Sequence, residues 1–200
     1  MDTNRSGGKP CKGRLFVFAG PSGVGKGTLR TKALSDFEDL TYSVSCTTRP
    51  PREMERDGVD YHFVTARDFE EKIAGGLFLE HAVVHGYRYG TLLESVEREM
   101  EAGRDVLLEI DVQGARQIRE ILPESVLIFV APPSLDVLEK RLRQRETESE
   151  EKIALRLENA KKEIALSSEY DRVIVNDDLE QTCEELRELF LSYRESREQT

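Results

Sequence analysis

The chain has 200 residues, enough for one medium-sized domain with a real core, and its 38% hydrophobic and 34% charged residues are ordinary for a soluble enzyme. A net charge of −10 argues against a broad electrostatic grip on nucleic acid or an anionic membrane, so an anionic substrate would need basic residues gathered locally. Cys11, Cys46 and Cys183 are far apart, odd in number and fit no metal spacing, which predicts reduced thiols in a reducing, cytoplasmic setting.

Residues 1–12 are polar and without periodicity, and they read as a loose tail with no signal peptide. Leu15–Ala19 is a short apolar run ending in a Gly-rich turn, as a buried parallel strand does, and a helix follows over Gly25–Leu34. The stretch from Ser45 to Thr91 is rich in Pro, Gly, Tyr and Arg, with short alternating pieces at Asp60–Val64 and Phe78–Val84. It predicts an insertion carrying a small mixed sheet. Beyond it come a helix over Leu92–Ala102 closed by Gly103, a strand over Asp105–Ile110, and a strand over Ser125–Val130. The next helix, Leu135–Arg145, has an apolar stripe of Leu135, Leu138 and Leu142. A longer one, Glu150–Ser168, has Ile153, Leu157, Ala160 and Ile164. A strand over Arg172–Val175 and a helix over Leu179–Tyr193 complete the pattern. Strands alternating with helices predict a three-layer α/β fold around a parallel sheet with right-handed crossovers.

The strongest motif is Gly20-Pro21-Ser22-Gly23-Val24-Gly25-Lys26-Gly27-Thr28, placed between a predicted strand and a predicted helix. Glycines let successive backbone N–H groups turn inward, the helix N-terminus adds a positive field, and Lys26 supplies a mobile cation for phosphate. The usual pattern of such a P-loop has Ser or Thr directly after the lysine to touch Mg²⁺. Here Gly27 holds that place and Thr28 follows. The metal is therefore expected to be held by phosphates and water, with Thr28 and Asp111 as candidate contacts.

Arg49 and Arg52 stand three residues apart around Pro50 and Pro51, a stiff pair of guanidinium forks suited to bidentate capture of a phosphate. Glu109 and Asp111 lie two apart at the end of a predicted strand, which puts both carboxylates on one side at the sheet edge where open α/β sheets bind ligands. Arg141 and Arg145, at i and i+4, share a helix flank. A polar link with a Thr147–Glu150 capping box separates them from Arg156. His81 and His85 are four apart in a predicted strand, roughly 13 Å of rise, and cannot share a metal as a helical pair would.

Together with S-x-S-x-T-T-R-x-P-R from Ser43, D-Y-x-F from Asp60, Phe78-Leu79-Glu80, Tyr89-Gly90-Thr91, Leu108 to Gly114 and Val173 to Asp177, the chain resembles the guanylate kinases from about Arg14 to Phe190. The resemblance implies one P-loop domain over 13–195, with a core of 13–44, 92–140 and 157–195, a monophosphate-binding insertion of 45–91 and a helical lid of 141–156. It implies that Arg49, Arg52, Tyr61 and Tyr89 hold the GMP phosphate, and that Ser45, Glu80, Thr91 and Asp111 line the guanine pocket beside Glu109. The P-loop residues, Arg141, Arg145 and Asn176 would bind ATP, with Lys26, Arg49, Arg141, Arg145 and Arg156 neutralising the transferring phosphoryl group. Glu146 stands where many family members carry glycine.

The chemistry of the bases agrees with that assignment. Guanine presents N1–H and N2–H₂ donors and a carboxylate such as Glu80 presents two acceptors, whereas adenine would set its N1 lone pair against the carboxylate. The implied reaction is ATP + GMP giving ADP + GDP, with Mg²⁺ and with dGMP as a further substrate. The partners are these nucleotides, with no nucleic acid and no membrane. The alternatives are a kinase for another nucleoside monophosphate and a non-catalytic interaction module of the same family. The intact P-loop speaks against the second. A phosphate oxygen is already ionised near neutral pH, since the second pKa is about 6, so no general base is needed and catalysis is positioning and charge neutralisation.

Overall fold

The structure, a computed structural model, describes residues 12–84, 86–144 and 149–198. In chain order the elements are β1 (Leu15–Ala19), α1 (Lys26–Asp36), β2 (Leu40–Tyr42), β3 (Cys46–Thr47), β4 (His62–Phe63), α2 (Ala66–Ala74), β5 (Phe78–Val84), β6 (Tyr87–Leu92) and α3 (Leu93–Glu101). They continue with β7 (Asp105–Glu109), α4 (Val112–Ile121), β8 (Val126–Ala131), α5 (Leu135–Arg143), α6 (Glu150–Ala165), a 3₁₀ turn (Ser167–Glu169), β9 (Arg172–Val175) and α7 (Leu179–Glu198).

Among the described residues two sheets form. The larger has five strands in the order β2-β7-β1-β8-β9, every neighbouring pair parallel. Its centre is β1, in which all five residues are buried. Side chains alternate across a strand, so Phe16 and Phe18 enter the core under α1, α5 and α7, while Leu15, Val17 and Ala19 enter the one under α3 and α4. Phe190 of α7 meets Phe16 edge to face, with ring centroids 4.6 Å apart. The one strongly buried charge at the lower edge, Asp105, is compensated: it accepts from the Arg14 N–H at 2.8 Å and from Arg194 Nε at 2.9 Å.

The smaller sheet, β4-β3-β6-β5, is mixed: β3 runs parallel to β4, and β6 is antiparallel to both β3 and β5. It lies within the stretch read as an insertion. That stretch also carries α2, started by a Thr65–Asp68 capping box with Phe69 as its buried anchor. The three-layer parallel core therefore matches the expectation from sequence.

Local differences have identifiable causes. Neither the three-residue β2 nor α4 is anticipated, since both are short and α4 carries Gly114 in its first turn. The helix expected to reach Arg145 ends at Arg143 with Gln144 as its C-cap, and α7 continues past Tyr193 to Glu198. The capping box expected from Thr147 to Glu150 does not start α6: that helix begins at Glu150 with Ser149 at the N-cap and no side-chain cap bond. Cys11, His85, Arg145, Glu146 and Thr147 lie outside the described residues. No helix among the described residues is long and apolar enough to cross a membrane.

Candidate active site

Because β1, β7, β8 and β9 are parallel, their C-terminal ends share one edge of the large sheet, and Gly20, Glu109 and Asn176 are set along it. The P-loop bridges β1 and α1 there. Gly25, the N-cap of α1, has φ +101° and no side-chain cap bond, a conformation that a Cβ would strain. A Cβ on Gly25 would also lie 2.5 Å from Asn176 Nδ2, and one on Gly20 only 2.2 Å from the Val130 carbonyl.

The loop is braced from outside. Asn176 is buried and donates from Nδ2 to the Val24 carbonyl at 2.7 Å, and Arg141 reaches the same oxygen at 3.4 Å. Arg156 donates to Ser22 Oγ, and Gly23 lies against Leu142 of α5. Lys26 folds back so that Nζ donates to the carbonyls of Gly20 at 2.6 Å and Pro21 at 3.1 Å. The Thr28 N–H bonds the Gly25 carbonyl at 3.1 Å, while its side chain is exposed. The structure thus brings together Gly20 to Thr28, Arg141, Arg156 and Asn176.

A second constellation is built on the small sheet. Thr91 Oγ1 donates to Glu80 Oε1 at 2.6 Å, and Ser45 Oγ lies 3.5 Å from Thr91 Oγ1. All three side chains are buried, with Glu80 only 3% exposed. Burial pushes the Glu80 carboxyl up to about 7; the Thr91 hydrogen bond opposes this and the nearby Asp111 adds to it. An acid held this way can switch ionisation near neutral pH and carries acceptor capacity for a ligand. Its second oxygen abuts α4, where a Cβ on Gly114 would lie 2.4 Å from Glu80 Oε2.

The arginine fork is arranged differently from two equivalent arms. Arg49 is enclosed, donating from Nη2 to both oxygens of Glu55 at 2.8 and 2.9 Å, from Nε to Tyr89 Oη at 3.1 Å and from Nη1 to the Pro50 carbonyl at 2.8 Å. Tyr61 lies under its guanidinium at 5.4 Å and packs edge to face with Tyr89 at 5.8 Å. Arg52 is exposed and tied only loosely to Glu55 at 3.9 Å, although its backbone N–H bonds Glu55 Oε2 at 2.8 Å. Burial works against the charge on Arg49, but its bonds to Glu55 and Tyr89 win and hold it more firmly protonated than usual. Tyr61 is pushed up, first by burial, and stays a neutral donor.

Glu109 and Asp111 do not act as a pair on one strand face, because β7 stops at Glu109 and the chain turns into α4. Glu109 meets Arg30 of α1 at 3.5 Å and sits near Gly27, whereas Asp111 caps α4, accepting from the Gly114 N–H at 2.9 Å and from Gln113 at 2.8 Å.

Sequence reasoning missed three groups. Glu55 ties both arginines of the fork, and nothing in the sequence separates it from Glu53, the other acid between Arg52 and Asp57. Arg30, over the Tyr42 ring at 4.2 Å, has no sequence signature. Glu163 of α6 is raised by burial, while the charge of Lys26 pulls it back and that of Asp111 adds to the rise.

The family model described as guanylate kinase matches residues 12–193. A guanylate kinase of Neisseria meningitidis serogroup A is 52% identical over 178 residues, covering 89% of this chain and 87% of the relative. One from Chlorobium luteolum is 48% identical over 173 residues, covering 86% and 88%. The crystal structure of guanylate kinase from Anaplasma phagocytophilum superposes with a TM-score of 0.77 at 34% identity, covering 92% of this chain and 87% of that one. With a matching family model over nearly its whole length, and relatives about half identical across most of both chains, the protein belongs to the guanylate kinase family.

Proposed function

We propose that the chain transfers the γ-phosphoryl group of ATP to GMP, giving ADP and GDP. The observation that carries this reading is the buried Glu80–Thr91–Ser45 set in a chain that also has a braced P-loop: a buried carboxylate with hydroxyl neighbours is a receptor for the N1–H and N2–H₂ donors of guanine. Ionised Glu80 accepts from that edge. Adenine, with a lone pair at N1, leaves the carboxylate facing an acceptor and so binds poorly.

Arg49, Arg52, Tyr61 and Tyr89 hold the GMP phosphate. Tyr89 receives Arg49 Nε on its oxygen, which leaves its own O–H to donate outward. Glu55 sets the plane of Arg49, so the fork is ready before substrate arrives. On the other side the N–H groups of the P-loop and the first turn of α1 receive the ATP phosphates, and Lys26 exchanges its carbonyl partners for phosphate oxygens. Arg141 and Arg156, already at the loop, add positive charge where negative charge develops on the transferring group. Residues 45–91 serve as the GMP-binding insertion and 141–156 as the lid, closing over the substrates to exclude water.

Among the described residues no three His, Cys, Asp or Glu gather as a metal cage. Glu109, whose Oε2 lies 3.8 Å from the position of a Cβ on Gly27, puts one carboxylate at the P-loop. That suits Mg²⁺, which keeps several waters and is bound by one or two carboxylates together with substrate phosphates. Glu109 would hold it through water, and when bound it neutralises charge on the phosphate oxygens.

A coupled assay of ADP release with GMP, AMP, UMP and CMP tests the proposal. Turnover confined to GMP supports it, and equal or greater turnover with another monophosphate refutes it.

A further inference from the structure

Among the described residues β5 is an edge strand of the small sheet, so its outer backbone groups have no strand neighbour there. At His81 a single side chain takes both. Gln117 Oε1 accepts from the His81 N–H at 3.2 Å, and Gln117 Nε2 donates to the His81 carbonyl at 2.8 Å. A primary amide offers an acceptor and a donor side by side, as a peptide unit does, so Gln117 completes the edge like one residue of a further strand. The residue it grips is next to Glu80.

Gln117 lies one helical turn beyond Gln113, which donates to Asp111 Oδ2 at 2.8 Å and reaches the Val83 carbonyl at 3.5 Å. Between them in sequence Gly114 backs the Glu80 carboxylate. The same stretch of α4 thus touches β5 at positions 80, 81 and 83 while carrying Asp111 at its N-cap. Both Gln117 bonds are near the surface, where water can replace them in a variant. Their loss therefore changes where β5 sits more than whether the chain folds.

We propose that Gln117 is a positioning residue for base recognition, its amide fixing β5 against α4 so that Glu80 meets the N1 and N2 edge of guanine. This rests on the reading of Glu80 given above. The discriminating substrate is inosine monophosphate, which keeps N1–H but lacks the N2 amino group.

The test compares kcat and KM of wild type and Gln117→Leu for GMP, inosine monophosphate and ATP. The variant should show KM for GMP raised on the order of 10- to 100-fold, as for a misplacement of about 1 Å. Its GMP-over-inosine-monophosphate preference should shrink, with KM for ATP unchanged. Gln117→Glu, which keeps the acceptor for His81 N–H and loses the donor, should shift in the same direction and serves if the leucine variant fails to fold. Unchanged GMP preference in a folded variant overturns the proposal, as does an equal loss toward ATP. Wild type showing no preference for GMP over inosine monophosphate would overturn the Glu80 reading itself, and this proposal with it.

Discussion

Gly114 of α4 and Glu80 of β5 are in contact: a methyl group on Gly114 would sit 2.4 Å from Glu80 Oε2, too close for either to stay in place. The carboxylate is the movable partner, being the end of a flexible side chain. Gly114 is within α4, where alanine is favoured over glycine by about 1 kcal/mol. Gly114→Ala should therefore fold with an unfolding midpoint near wild type, while kcat/KM for GMP falls roughly 10- to 100-fold through displaced recognition. Steady-state kinetics beside thermal unfolding measure both. A large drop in stability with unaltered GMP kinetics would show that the contact serves packing alone.

The raised Glu80 carboxyl predicts a pH dependence with a definite sign. Its value in the folded chain, about 7, lies above the ordinary carboxyl value of 4.5, so the fold favours the protonated form. That stabilisation is complete below the unfolded value and is lost as pH rises through about 7. Glu80→Gln should accordingly gain stability relative to wild type as pH rises from 4.5 to about 7. Under the proposed function recognition runs the other way, because the ionised form would accept both guanine donors. The ratio of wild-type to Glu80→Gln kcat/KM should rise through neutral pH, the titration of the substrate phosphate cancelling in the ratio. A flat ratio would contradict it.

Much of this arrangement was legible in the sequence, for physical reasons that differ by element. The P-loop and β1 could be read because an apolar run, a glycine turn and a lysine at fixed spacing express strong local constraints. The Glu80–Thr91–Ser45 set was legible only through resemblance. Those residues come from β5, β6 and the residue just before β3, and no local rule joins positions 45, 80 and 91. Glu109 and Asp111 were misplaced because a period-2 argument holds only while the strand lasts, and β7 stops at Glu109. The Glu55 and Gln117 bonds were invisible, since each depends on how a loop or an edge strand folds back.

Lys26 is half-buried and bonds two carbonyls of its own loop. Lys26→Ala should keep the unfolding midpoint and lower kcat by about 10²–10³-fold or more, the scale of a lost electrostatic stabiliser in phosphoryl transfer. Near-normal turnover in a folded variant would remove the P-loop from the mechanism.

Gly27 is not required by space, for the nearest atom to an added Cβ is Glu109 Oε2 at 3.8 Å, an ordinary contact. Gly27→Ser should therefore fold normally and place a hydroxyl at the start of α1, lowering the Mg²⁺ concentration needed for half-maximal activity. Titration of activity with Mg²⁺ measures it. An unchanged midpoint would mean that a hydroxyl at this position does not take part in holding the metal.

Glu80→Gln tests most directly the claim that Glu80 reads guanine on this P-loop kinase. The substitution keeps size but sets a donor amide against guanine's donors in a buried pocket. Measured as kcat/KM for GMP and AMP in both proteins, with KM for ATP as the control, GMP efficiency should fall roughly 10²–10⁴-fold. AMP should gain little, because Ser45 and Thr91 keep their places, and KM for ATP should hold. GMP efficiency within a few-fold of wild type would contradict the claim.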